Sequence, residues 1–445
     1  MNNFPKHFIR YGTTAEQKYI TQYQHLFNAV ALNANMLVHA SKSISTFLHK
    51  DIDLNFFIDP MTHAFQHDLN WIYNEKGEIK TSISKLIAEY AGVVDDSINN
   101  KKRPLRHTDL NNNSIVELCH KVLNFQKNFV RASVDEEYKE YIDFLKADKE
   151  PMFLVAPYFF LTDGNFSNWF HINSELISKS MSLKNEYKKS IFAQLVIDKK
   201  ILKAKERVSQ IIQEYSVSDG LLIWVDGFDE ARASEEELSC LRDLVSDYKK
   251  MNPEKPIVSL YGGYFAQLLT KCGLDGVVHG LEYGEKREVV PVGGGIPRAK
   301  FYIPALKQRF DATSVIPLFY FFKVSNKDFF ASKICGCKNC DKNIHKESNT
   351  IEDIISDFSV YIQTKQVKIQ YKKGNVREVE FPILESKHEC LIHYLIVKHS
   401  EYEKINKSDL GLLLAELENS YNTHEPAFAE NELNYLMTWK NVLDQ

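Results

Sequence analysis

An α/β fold, a (β/α)8 TIM-like barrel with a C-terminal zinc-binding α+β subdomain, is predicted by three observations. Short, continuous apolar runs alternate with helix-length segments through most of the chain. Polar residues gather just after those runs. Beyond them, three cysteines fall within the six residues Cys335-Gly336-Cys337-Lys338-Asn339-Cys340.

The apolar runs come in the order Met36–His39, Asn55–Asp59, Met152–Phe160, Ile191–Asp198, Leu221–Asp226, Pro256–Tyr261 and Gly276–Glu282. Runs without alternation suit strands buried on both faces. Segments such as Lys199–Tyr215, Glu235–Lys250 and Phe265–Cys272 read as the crossover helices that parallel strands require. An eighth strand is expected in 300–322, which completes a barrel. Residues 15–35 and 80–148 read as helical, the latter as an insertion. The barrel is expected over 1–330 and the subdomain over 331–445. Within the subdomain, Val367–Phe381 alternates around Lys372-Lys373-Gly374-Asn375 as a β-hairpin does, and Leu391–Lys404 and Glu430–Leu443 read as amphipathic helices.

Composition narrows the class. With 445 residues and 44% hydrophobic content, the chain can bury a large core. A net charge of −4 means that any nucleic-acid surface is a local patch. No apolar run has the length of a membrane span. The start, Met1-Asn2-Asn3-Phe4, is unlike a secretory signal, and Cys119, Cys240 and Cys272 stand singly, as in a reducing compartment. A soluble cytoplasmic protein is expected.

In a barrel, function sits at the carboxyl ends of the strands. Those positions carry Asp59, Asp163, Gln194, Asp226, Gly262-Gly263 and His279. An Asp after a strand is often only a helix cap, but so many polar residues together suggest a polar site. Tyr158, Phe159, Tyr261 and Tyr264 supply an aromatic wall. Asp59, His63 and His67 have a helical spacing, with no companion spacing that completes a second metal site.

Three thiolates in a C-x-C-x-x-C pattern converge on one soft cation and need a fourth ligand. His388, which precedes a helix, is the first choice, ahead of His393, Cys390 and the nearby His345. Three cysteines and a histidine leave no open position, so the Zn²⁺ is expected to be structural.

This order of parts resembles the tRNA-guanine transglycosylase superfamily, including its DNA-acting deazaguanine-inserting relatives. Those proteins are barrels followed by a zinc subdomain with C-x-C-x-x-C and a downstream His at a helix start, matched here by Cys335, Cys337, Cys340 and His388. The run Leu260-Tyr261-Gly262-Gly263-Tyr264-Phe265, followed by Gly273-Leu274-Asp275, is similar to the family's glycine turn and Gly-Ile-Asp run. Gln194 matches the glutamine that recognises the base, and Asp59 the early-strand Asp of base binding and proton transfer. Where the family has Asp-Ser-Gly-Gly-Phe-Gln, this chain has Asp59-Pro60-Met61-Thr62-His63. The family's nucleophilic Asp lies in Phe-Asp-Cys-Val on the last strand. Val277-Val278-His279-Gly280 has no Asp, whereas an alignment on Gly293-Gly294-Gly295 puts Asp311 at that position.

The resemblance implies exchange of guanine or 7-deazaguanine in tRNA or DNA. A carboxylate nucleophile would come from Asp59, Asp226 or Asp311, with Gln194, Tyr261, Gly262, Gly263 and His279 about the base. Gly293-Gly294-Gly295 beside Arg298, Lys300, Lys307 and Arg309 reads as a clamp for the phosphate backbone. The second expectation is a barrel that binds nucleic acid or a partner without chemistry, as a subunit of a modification complex; a homodimer or a partner subunit is open under either expectation.

Overall fold

The computed structural model describes residues 4, 6–145, 148–282, 284–290, 298–370, 374 and 376–445. The chain divides into two compact units, 1–292 and 293–445. The sequence pattern placed that division later, at 330.

In the first unit, β1 (His7–Arg10), β2 (Ala29–Asn33), β3 (Asn55–Asp59), β4 (Leu154–Val155), β5 (Ile191–Ile197), β6 (Leu221–Val225), β7 (Ile257–Leu260) and β8 (Gly276–Gly280) make one sheet in the order β3-β2-β1-β8-β7-β6-β5-β4. Every pairing is parallel. The edge strands β3 and β4 approach where Met152 N–H donates to Phe56 O at 2.8 Å, so the sheet is a nearly closed barrel. All seven residues of β5 are buried, which explains its unbroken apolar sequence.

Alternation along each strand sends Phe8, Phe57, Phe192, Leu222, Val258 and Val278 inward. Phe153 stacks on Phe192 with ring centroids 3.9 Å apart and on Phe57 at 4.9 Å. These rings fill the barrel toward the amino ends of its strands and leave the carboxyl end for polar groups.

Six of the eight barrel strands lie in runs read as strands, and two corrections concern the first two. Met36–His39 belongs to a helix, Ala34–His39, and β2 lies just before it, within the segment expected to be helical. β1 has four residues, and Ala29-Val30-Ala31-Leu32 is built from helix-favouring alanine and leucine, so local pattern misassigns both. Pairing with β8 and with each other overrides that propensity. A third correction concerns 300–322. It holds β9 (Lys300–Ile303) and β10 (Gln308–Asp311), which among the described residues pair only with each other, antiparallel, in the second unit.

The second unit adds the hairpin of β11 (Thr364–Gln370) and β12 (Val376–Pro382), in register at Val367↔Val379. Of its expected turn, Lys372, Lys373 and Asn375 lie outside the described residues. Three helices follow, Leu384–Lys407, Leu410–His424 and Asn434–Asp444. Among the described residues no helix is long and apolar enough to cross a membrane.

The aromatic stack supports barrel closure, so Phe192→Ala should lower unfolding free energy by about 3–5 kcal/mol in a denaturant titration.

Candidate functional site

Asp59 ends β3 with its side chain in the same inward register as Phe57. It is buried, 3% exposed. Tyr158 Oη donates to Asp59 Oδ1 at 2.6 Å, the Met61 N–H donates to the same oxygen at 3.0 Å, and Gln194 Nε2 donates to Oδ2 at 3.4 Å. Burial raises the Asp59 pKa, while these hydrogen bonds and the charge of Arg287 oppose the rise. Gln194 Oε1 is buried with no hydrogen-bond partner among the described residues.

Tyr158 also joins Asp59 to His63. Its hydroxyl is 2.9 Å from His63 Nδ1, and the two rings stack with centroids 5.3 Å apart. Since the hydroxyl proton goes to Asp59, it is His63 Nδ1–H that donates to Tyr158 Oη. Burial holds the His63 pKa well below its ordinary value, with His67 and Arg287 acting the same way, so the ring is neutral. The loop is fixed by Thr62, whose Oγ1 donates to Tyr158 O at 2.6 Å and accepts from Tyr158 N–H at 2.8 Å.

Trp224 of β6 and Tyr261, just after β7, form the opposite wall with ring centroids 4.8 Å apart. The half-buried Arg287 lies 5.4 Å from the Trp224 ring centre and 5.2 Å from that of Tyr261, and its Nη1 donates to Tyr261 Oη at 2.6 Å. Burial opposes its charge, but Tyr261 and Asp59 outweigh that and raise its pKa. Arg10, at the end of β1, completes the ring of groups 5.5 Å from the Tyr261 centre. Residues 284–290 lie across this end of the barrel. Trp224 Nε1–H and Gly227 N–H both donate to Arg287 O at 3.0 Å, and Val289 N–H donates to Asp226 Oδ1 at 2.6 Å.

The other expected residues fall in different places. Asp226 is half-buried at the end of β6, and burial raises its pKa. Gly262 N–H is bonded to Val278 O at 3.0 Å and Gly263 N–H to Glu230 Oε1 at 2.7 Å. Glu230 also accepts from Phe265 and Ala266 N–H and so caps the helix Tyr264–Leu268. His279 faces out of the barrel, because alternation turns Val278 inward, and its Nε2 lies 2.6 Å from His7 Nε2. Asp311 ends β10, not a barrel strand, and pairs with Arg298. The four cations do not form a free cluster. Lys307 is 5% exposed between Glu401 at 3.3 Å and Glu416 at 3.6 Å. Arg309 stacks on Tyr394 at 3.3 Å, and Lys300 is half-buried. Gly293-Gly294-Gly295 lies outside the described residues. A surface hollow beside His107, Asn111 and His171 lies among helices outside the barrel and holds none of these groups.

In the second unit, the ligand atoms of Cys335, Cys337, Cys340 and His393 all lie within 4.8 Å of one another. The fourth ligand is therefore His393, not His388. Both residues sit on the helix Leu384–Lys407, and five residues of helix rotate His388 to another face. The donor set fits Zn²⁺: Cys337 Sγ and Cys340 Sγ are 3.3 and 3.4 Å from His393 Nδ1. His393 Nε2–H donates to Tyr302 O at 2.7 Å, which directs the Nδ1 lone pair toward the metal. Cys337 N–H donates to Cys335 Sγ at 3.4 Å, as suits a thiolate. This is a structural zinc site with no position left for substrate.

No family model matches the sequence, and no curated protein is detectably similar to it. What fold and site define is the broad TIM-barrel class, with an attached Cys3His zinc unit.

Two predictions follow from the local geometry. His393→Ala should lose stoichiometric zinc in elemental analysis, and His388→Ala should retain it. Burial raises Glu16, whose Oε2 accepts the Gly12 N–H at 2.7 Å, from 4.5 to about 6. A raised carboxyl favours the folded state fully below its unfolded pKa and loses that advantage as pH rises through the folded one. Relative to wild type, Glu16→Gln should therefore gain about 2 kcal/mol between pH ~4.5 and ~7 in denaturant melts.

Proposed function

We propose that the barrel exchanges a guanine or 7-deazaguanine base in tRNA or DNA, in the manner of the transglycosylases it resembles. The observation that carries this reading is the pairing of Asp59 with Gln194 inside the barrel mouth. Asp59 offers a carboxylate acceptor, and Gln194 offers a buried carbonyl oxygen whose hydrogen bond is unmade. An edge with adjacent N–H donors, as guanine has, satisfies both, and Trp224 and Tyr261 give a flat base its wall.

In this reading Asp59, raised by burial and linked through Tyr158 to neutral His63, manages the proton on the leaving and entering bases. Asp226 is the remaining candidate carboxylate at a barrel strand end and serves as nucleophile. Asp311, on the β9–β10 hairpin, is set aside for that role. A base enters once residues 284–290 lift from the mouth, which breaks the Asp226–Val289 bond and frees the carboxylate.

That same bond favours a second reading, a barrel that binds nucleic acid or a partner without chemistry, because it occupies Asp226 as a structural acceptor. Labelled guanine or 7-deazaguanine incubated with duplex DNA or with tRNA separates the two. Base exchange predicts incorporation of label and a denaturation-resistant protein–nucleic-acid adduct. Both should fall at least about 10³-fold in Asp226→Asn and Asp59→Asn and persist in Asp311→Ala. Retention of polymer with no label incorporated by the wild type would falsify exchange and leave the binding role.

A further inference from the structure

We propose that the barrel mouth carries an oxyanion subsite, built by Arg10 and Arg287 around Tyr261, that takes a phosphate or carboxylate group of the ligand. Arg10 is the last residue of β1, in the inward register set by Phe8. Its guanidinium occupies room left by Gly280 of β8, where an added Cβ would stand 3.0 Å from Arg10 Nη2. Arg287 reaches the same tyrosine from the segment after β8. The two guanidinium carbons are 5.5 and 5.2 Å from one ring centre.

Neither charge is neutralised. Among the described residues no carboxylate lies within ion-pairing distance, 4.0 Å, of either guanidinium. Arg287 spends one donor on Tyr261 Oη. Among the described residues the Arg10 side chain makes no hydrogen bond, and its Nε is buried without a partner. Glu16 and Asp59 act on these charges only from farther away. Two other part-buried arginines have carboxylate partners: Arg103 grips Asp109 with two bonds of 2.6 Å, and Arg207 meets Asp163 at 2.7 Å. Two half-buried like charges gathered on one ring, with donors left over, are costly unless an oxyanion joins them. Both residues are partly exposed, which leaves an anion a path from solvent. The loops after strands seven and eight of such barrels are also a recurrent place for phosphate.

The subsite does not depend on base exchange, and its test uses probes without a base. Thermal melts of the full chain are run with inorganic phosphate, dimethyl phosphate and acetate, each against chloride at matched ionic strength. Phosphate should raise the wild-type midpoint, and its apparent Kd should weaken roughly tenfold or more in Arg10→Gln and in Arg287→Gln. Arg10→Lys should fall between, since it keeps the charge and loses the fork. Without ligand, Arg10→Gln should melt at or above the wild-type temperature, because it removes an unpaired buried charge. Dimethyl phosphate acting more strongly than acetate identifies a nucleic-acid phosphodiester as the source, and the reverse identifies a carboxylate on a small ligand. The proposal is overturned if phosphate acts no more strongly than chloride on the wild type, or acts equally on both glutamine variants. It is also overturned if ligand-free Arg10→Gln melts several degrees lower or does not fold, which would make Arg10 a structural residue.

Discussion

The two-residue alternation of parallel strands, locked by near-closure of the sheet, decides which side chains meet. Phe8 and Arg10, Phe57 and Asp59, Phe192 and Gln194, Leu222 and Trp224 are successive inward positions on four strands. In each pair the first builds the apolar floor and the second reaches the polar mouth. A slip of one residue in any register would exchange these groups for the ones now facing the outer helices. The polar mouth therefore rests on the aromatic floor. The stacked rings of Phe57, Phe153 and Phe192 close the barrel below the site, where burial raises the pKa of Asp59 and lowers that of His63.

The second unit is organised differently, around a metal and a buried charge network that share one residue. Tyr302 of β9 accepts from His393 through its carbonyl, and its hydroxyl bonds Glu401 at 2.9 Å and Lys398 at 3.2 Å. Lys307 and Lys398 both contact Glu401 at 3.3 Å. Opposite charges buried together need each other, since removing either would strand its partner in an apolar environment. The zinc ligands and this network hold the same helix, Leu384–Lys407, against the same strand at two levels. The exposed β11–β12 hairpin adds little to the core of this unit.

Much of this was legible in the sequence, and the failures share a cause. Long buried strands such as β5 and β6 announce themselves, because burial on both faces needs unbroken apolar residues. The zinc cysteines are legible because their spacing is local. His393 was not chosen because the ligand is fixed by which helix face meets the cysteine loop, a tertiary fact. Asp59 ends β3 as expected, whereas Gln194 stands in the middle of β5 and not at its end. Arg10 escaped notice because β1 is only four residues long, and a strand not recognised has no recognised end. Arg287 was missed because it stands in an irregular segment without periodicity. The cations Lys307 and Arg309 looked like a surface patch in one dimension, and folding turned both toward the interior of their own unit.

The pairing of β1 with β8 joins residues about as far apart in sequence as the first unit allows, with Ile9 opposite His279. Arg10 comes from the first strand, while Tyr261, Gly280 and Arg287 come from the end of that unit. No partial barrel can hold the mouth in working form, because its two halves meet only when the last strand docks. Contacts of such long sequence separation form late and slowly. During synthesis, the nascent chain thus carries an incomplete mouth until nearly all of the first unit has emerged, and gains a complete one in a single closing step.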